Sequence, residues 1–173
     1  RLEDIFKIRA ERLTANSLIA DYIQKNIKNP ITIGPDEESY KWAKNVADIL
    51  GVESRILKKK RHSSYNVKVK LDKKIDLSNK NAVIVDDIIS TGNTILETAK
   101  ILKRFEAKKI YCICVHGIFV DNALTKLKKA GINVISTNTI PNKVAKIDVS
   151  KVISESLKKE LWKNQFCENV GNF

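Results

Sequence analysis

The sequence predicts an α/β fold, with a mainly parallel, twisted sheet flanked by helices. Three observations carry this. Short apolar runs alternate with amphipathic helical stretches along the whole chain. Ala82 to Val85 is a near-continuous apolar run, as expected of a strand covered by helices on both faces. Polar loops follow three of the predicted strands, and such sheets bind ligands where the carboxyl ends of strands lead into helices. Those loops are 34–39, 58–66 and 86–94.

The elements follow in order. Leu13, Leu18, Ile19, Tyr22, Ile23 and Ile27 have helical spacing and predict a helix over much of 13–28. Asn29-Pro30 stops it, and Ile31 to Ile33 reads as a short buried strand. A polar turn over 34–39 leads to a helix carrying Trp42, Ala43, Val46, Ala47, Ile49 and Leu50, which Gly51 ends. Ser54 to Leu57 reads as a strand. Val67 to Leu71 alternates as an edge strand or hairpin arm does. After Ala82–Val85 come a helix over 93–106, a strand Ile110–Val115, a helix over 120–130, a strand Ile132–Ile135 and a last helix over 150–163.

The chain has 173 residues, 43% of them apolar, enough for one domain with a sizeable core. No apolar run approaches the roughly 20 residues that span a bilayer, so no membrane partner is expected. Methionine is absent and Arg1 to Phe6 has no leader pattern, so the chain is expected to be cut from something longer. Cys112, Cys114 and Cys167 make an odd set without further metal ligands; small core residues in a reducing cytoplasm are expected. Basic residues outnumber acidic ones 32 to 20, a net charge of +12, which favours anionic partners. Residues 58–74 hold eight Lys or Arg against one Asp. That run holds a single aromatic, Tyr65, and no interleaved series, so nucleic acid is the less favoured anion.

The segment 86–94 carries the most chemistry. An apolar strand ends in Asp86-Asp87; then Ser90-Thr91-Gly92-Asn93-Thr94 opens an amphipathic helix. A helix N-terminus offers unpaired N–H groups and partial positive charge to a phosphate dianion. Gly92 is expected to let the backbone approach the phosphate without a Cβ in the way. Ser90, Thr91 and Thr94 add hydroxyl donors, while the carboxylates accept from sugar hydroxyls. A helix cap explains one or two polar residues here, not two acids and five small or polar residues.

This segment resembles the PRPP (phosphoribosyl diphosphate) binding loop of type I phosphoribosyltransferases and PRPP synthases. Their pattern is an apolar stretch, two acids, two further residues and Asp-Thr-Gly-Gly-Thr. Ser90 stands where the family usually has Asp, and Asn93 where it usually has Gly. The resemblance implies ribose 5-phosphate on Asp86, Asp87, Ser90, Thr91, Gly92, Asn93 and Thr94. Lys58-Lys59-Lys60-Arg61-His62-Ser63 looks like the catalytic loop of PRPP synthases. By that likeness Lys59 and Arg61 are the catalytic cations, Arg61 also reaching ribose 5-phosphate. Mobile cations suit the charge that develops when the β-phosphorus of ATP is attacked.

Gly34-Pro35-Asp36-Glu37-Glu38-Ser39 is similar to the family's Pro-Asp-x-Gly-Gly loop, with Glu38 and Ser39 replacing the glycines. The likeness makes Asp36, Glu37, Glu38 and Ser39 a diphosphate loop, with Asp36 ligating Mg²⁺. Val115-His116-Gly117-Ile118-Phe119 and Thr137-Asn138-Thr139-Ile140-Pro141 resemble further family segments, His116 as a turn residue rather than a catalyst. The tail with Val170 and Phe173 is similar to the family's ending.

Residues 1–12 resemble the family's inter-domain junction, leaving 13–173 as its second domain; the first, which supplies the adenine contacts, is expected to be absent. The implied activity is that of a ribose-phosphate diphosphokinase: ATP plus ribose 5-phosphate gives PRPP and AMP. The isolated chain is expected to fold but to be inactive. A homo-oligomer in the cytoplasm is implied. The alternatives are a nucleobase phosphoribosyltransferase using the same 86–94 loop, and a non-catalytic regulatory subunit, for which the altered 36–39 loop speaks.

Overall fold

The structure is a computed structural model that describes residues 5–8, 10–61, 67–70 and 76–169, with 58–61, 67–70 and 160–169 as backbone only. Six strands form one parallel sheet in the order β2-β1-β5-β6-β7-β8. These are β1 (Pro30–Gly34), β2 (Ser54–Ile56), β5 (Asn81–Ile89), β6 (Lys109–Gly117), β7 (Ile132–Thr137) and β8 (Ala145–Ile147). β3 (Lys58–Arg61) and β4 (Val67–Lys70) form a separate antiparallel pair; β4 is the expected hairpin arm, whereas β3 occupies the start of the loop expected over 58–66. The helices are α1 (Asn16–Asn26), α2 (Glu37–Leu50), α3 (Asn93–Arg104), α4 (Ala123–Lys129) and α5 (Ser150–Asn169).

Two apolar layers follow from the pleat, since successive strand residues face opposite sides of the sheet. Val83 and Val85 of β5 join Ile19 and Ile23 of α1 and Ala43 and Val46 of α2. Ala82 and Ile84 join Ile95 and Leu102 of α3 and Leu127 of α4. Ile19, Ile23, Ile84, Leu102 and Leu127 are 0–1% exposed; each such side chain contributes about 1.5–3 kcal/mol.

The strand order has one consequence for function. From β1 the chain moves through α2 to β2 on one side; from β5 it moves through α3 to β6 on the other. The order therefore reverses between β1 and β5, and a crevice opens there beyond the carboxyl ends of both strands.

The structure corrects the sequence reading at several boundaries. β5 runs through the acid pair to Ile89, so Asp86 and Asp87 lie within a strand and not in a loop after it. β6 reaches Gly117, which puts His116 on a strand and not in a turn. α2 begins at Glu37, inside the predicted turn. β8 was not predicted. The junction residues Leu2 to Asp4, the hairpin tip His62–Asn66, residue Leu71 and the tail Val170–Phe173 lie outside the described residues.

Candidate active site at the strand switch point

The site is assembled from three segments at the crevice between β1 and β5. The first turn of α2 supplies Asp36 to Ser39. Asp36 is its N-cap, one carboxylate oxygen accepting from the Ser39 N–H at 2.8 Å. Glu37 and Glu38 are exposed in the first turn, where negative charge suits the helix dipole. Gly34 makes this turn possible: a Cβ there would lie 2.8 Å from the backbone nitrogen of Tyr40.

Ser39 joins the first segment to the second. Its hydroxyl donates to Asp86 Oδ1 at 2.8 Å, and the same oxygen accepts from the Asp87 N–H at 3.0 Å. Asp86 and Asp87 are both half-buried. Asp86 is pushed up from an ordinary 3.8 to about 6. Burial is the main cause; the Ser39 hydroxyl opposes it, and the charges of Asp87 and Asp36 add to it. Asp86 stands opposite Cys114 of β6, whose thiol burial raises to about 12, with the Asp86 charge contributing. Cys112 and Cys114 are buried free thiols, as expected of core residues.

The third segment is Ser90–Thr94. α3 has no side-chain cap, in contrast to α2. Its first-turn N–H groups therefore keep their capacity to bind an anion. Ser90 and Asn93 are exposed, and Thr91 and Thr94 are partly so. Gly92 needs a different explanation from the one its sequence position suggests. Its φ is 74°, the left-handed region that glycine adopts without strain, and a Cβ would meet Leu127 Cδ1 at 3.2 Å. The missing side chain faces α4 and not the open end of the helix.

The basic hairpin starts beside this crevice. Leu57 N–H donates to the Gly34 carbonyl at 3.0 Å, tying its root to the end of β1. Its register pairs Lys59 with Val69 and Arg61 with Val67, whereas Lys58 and Lys60 pair with Lys70 and Lys68. Lys59 and Arg61 thus share one parity of β3, and Lys58 and Lys60 the other.

His116 belongs to a structural knot. Its Nδ1 lies 2.9 Å from Thr139 Oγ1, while the Thr137 and Thr139 hydroxyls reach the Val115 carbonyl at 2.7 and 2.9 Å. Sequence reasoning missed Leu127 and Gly34 as supports of the site. Neither carries functional chemistry, and only the packing shows what they hold. It also missed the Ser39–Asp86 bond, which joins positions 47 residues apart.

Comparison with known proteins bears on this arrangement. The phosphoribosyl transferase domain family matches residues 2–152. This chain belongs to that family. Among relatives of the phosphoribosyl transferase domain, the ribose-phosphate pyrophosphokinase of Pyrococcus furiosus is 38% identical over 146 residues, covering 84% of this chain and 52% of that protein. The ribose-phosphate pyrophosphokinase of Methanothermobacter thermautotrophicus is 38% identical over 158 residues, covering 91% of this chain and 55% of that protein. The chain therefore spans about half the length of the curated relatives it matches. The crystal structure of phosphoribosylpyrophosphate synthetase from Mycobacterium smegmatis aligns with a TM-score of 0.70 at 24% identity, over 87% of this chain and 51% of that one. That likeness carries the phosphoribosyltransferase fold, in agreement with the parallel sheet. No helix among the described residues is long and apolar enough to cross a membrane.

Proposed function

We propose that this chain is the ribose 5-phosphate-binding half of a ribose-phosphate diphosphokinase. The reaction transfers the diphosphate of ATP to the 1-hydroxyl of ribose 5-phosphate, giving PRPP and AMP. One observation carries the reading. A half-buried acid pair on β5 leads directly into the uncapped N-terminus of α3, at the point where the strand order reverses. Phosphate binds the open amides of α3 with the Ser90, Thr91 and Thr94 hydroxyls, and Asp86 and Asp87 accept from the ribose hydroxyls. The names of the curated relatives support the same reading.

Lys59 and Arg61 are the cations assigned to the charge that develops on the transferring diphosphate, with Arg61 also reaching ribose 5-phosphate. Asp36 to Ser39 form the diphosphate side of the crevice. Mg²⁺ fits this donor set. Asp36 spends one oxygen on its helix cap and keeps the other, and Asp86 and Asp87 are nearby hard oxygen donors. Among the described residues no cluster of three or more protein ligands exists. Mg²⁺ is commonly held by one or two carboxylates together with substrate phosphates. Bound there by Asp36, it would neutralise charge on the diphosphate. We further assign the intact protein to a cytoplasmic homo-oligomer, which sedimentation of the native protein would test.

The deciding experiment substitutes the hairpin in the intact protein. Lys59→Ala and Arg61→Ala should each lower kcat roughly 10²–10³-fold, with little change in KM for ribose 5-phosphate. Lys58→Ala and Lys60→Ala remove the same charge from the other parity of the strand and should cost far less. Four equal, small losses would defeat the assignment. A second reading, a non-catalytic subunit of the same fold, draws on the Asp36 cap and the Ser39–Asp86 bond, which engage the loop internally. It predicts ribose 5-phosphate binding with no turnover.

A further inference from the structure

A second concave region lies on the β8 side of the sheet, toward the amino ends of β6 and β7. It is a groove of about 530 Å³ lined by Tyr22 of α1, Tyr111 of β6, Lys128 at the end of α4, Asn133 of β7, and Lys143 and Lys146 around β8. β7 lies two strands from β5, about 10 Å across the sheet from the acid pair, so this groove is not part of the crevice already described.

The polar lining of the groove favours an anion, beside the apolar Ile132, Val134, Ile135 and Val144. No Asp or Glu is among its lining residues. Lys128, Lys143 and Lys146 are exposed, and none of the three has an ion pair among the described residues. This contrasts with Lys44, Lys80 and Lys151, which do. Three ammonium groups around one concavity repel one another and gain when a multivalent anion enters. The two tyrosines are half-buried, and a tyrosine phenol is a hydroxyl donor at neutral pH.

The sheet edge adds a further donor. β8 pairs with β7 only at Ser136 and Thr137, and the Ser136 N–H points to the Val144 carbonyl. By strand parity the Val134 N–H is directed to the same side, ahead of the start of β8. The Val144 N–H that would continue the ladder is taken by Asn142 Oδ1 at 2.9 Å. The groove floor is therefore an unfinished stretch of strand edge. Its volume lies within the roughly 300–1,000 Å³ of small-molecule sites.

We propose that this groove is a second anion site, which binds a polyphosphate-bearing small molecule on Lys128, Lys143 and Lys146 with the Tyr22 and Tyr111 hydroxyls. The inference is independent of the catalytic reading. The shared chemistry is a polyphosphate chain, either free or attached to a nucleoside; a nucleoside would add contact with the tyrosine rings.

The test uses the intact protein at physiological ionic strength, titrated with inorganic tripolyphosphate and separately with ATP. The readouts are calorimetry and the ring NMR signals of Tyr22 and Tyr111. Both tyrosines should shift on saturation with tripolyphosphate. The Lys143→Ala/Lys146→Ala double variant should weaken that response at least tenfold, and Thr91→Val should leave it unchanged. Lys100→Ala/Lys151→Ala serves as a charge-matched control and should leave it unchanged too. Tyrosine shifts that reach their midpoint at a tenfold lower concentration of ATP than of tripolyphosphate would support a nucleotide; equal midpoints would support recognition of the polyphosphate alone. Unmoved tyrosine signals at saturation, or equal weakening by the control pair, would overturn the proposal.

Discussion

Replacing Asp86 by Asn should make the protein more stable at neutral pH and should do so only above a definite pH. Asp86 holds its proton to about 6 in the folded state, against 3.8 ordinarily. Folded-state affinity for the proton is thus the higher one. The stability linked to Asp86 is fully present below about pH 4 and is lost as pH rises through about 6. Two pKa units correspond to roughly 3 kcal/mol, and partial exposure of the carboxyl reduces this to about 1–2 kcal/mol. Asn keeps the acceptor that Ser39 Oγ and the Asp87 N–H use, so the hydrogen bonds survive the change. Urea unfolding of both proteins by circular dichroism from pH 4 to pH 8 gives the difference curve, in which groups common to both cancel. The curves should coincide near pH 4 and separate by about 1–2 kcal/mol in favour of Asp86→Asn at pH 8. The same variant should bind ribose 5-phosphate more weakly, so stability is gained where binding is lost. An Asp86→Asn protein less stable than wild type at pH 8, or a gap that does not vary with pH, would refute the account of this carboxyl.

Three further outcomes follow from the geometry. Thr91→Val should weaken ribose 5-phosphate about three- to tenfold by calorimetry, the loss of one hydrogen bond of roughly 0.5–1.5 kcal/mol, without a change in Tm. Gly92→Ala should destabilise the ligand-free fold by about 1–2 kcal/mol through its left-handed backbone, and Gly92→Asn by less, both measured by denaturant unfolding. Cys112 and Cys114 should resist a thiol reagent at pH 8 in native buffer and react on unfolding, because both are buried and their thiols are held protonated.

The sheet was legible because its central strands are apolar on both faces, and the five described helices fall close to the predicted spans. The ends of those strands were not. Asp86 to Ile89 continue β5 because the ladder to β6 is made by backbone groups, with Asp86 opposite Cys114 and Ile88 opposite His116. Backbone pairing does not register in a hydropathy pattern. β8 was missed because its three residues, Ala145-Lys146-Ile147, have too little alternation to stand out from a loop. The residues at the crevice were read from their types, and the structure brings the 36–39 turn against β5 through Ser39. What Gly92 faces could not be read at all, because the direction of a missing Cβ depends on where α4 packs.

The Ser39–Asp86 bond means that the crevice already holds a hydroxyl of its own. That hydroxyl and the Asp87 N–H both use Oδ1, so the other carboxylate oxygen is the one that meets an alcohol arriving from outside. On the proposed reading the sugar therefore joins a carboxylate that is already half committed. Ser39, whose own N–H is held by Asp36, sets the direction in which the open oxygen faces. Preference among sugars then depends on which hydroxyl can reach that one oxygen while Ser39 keeps the other.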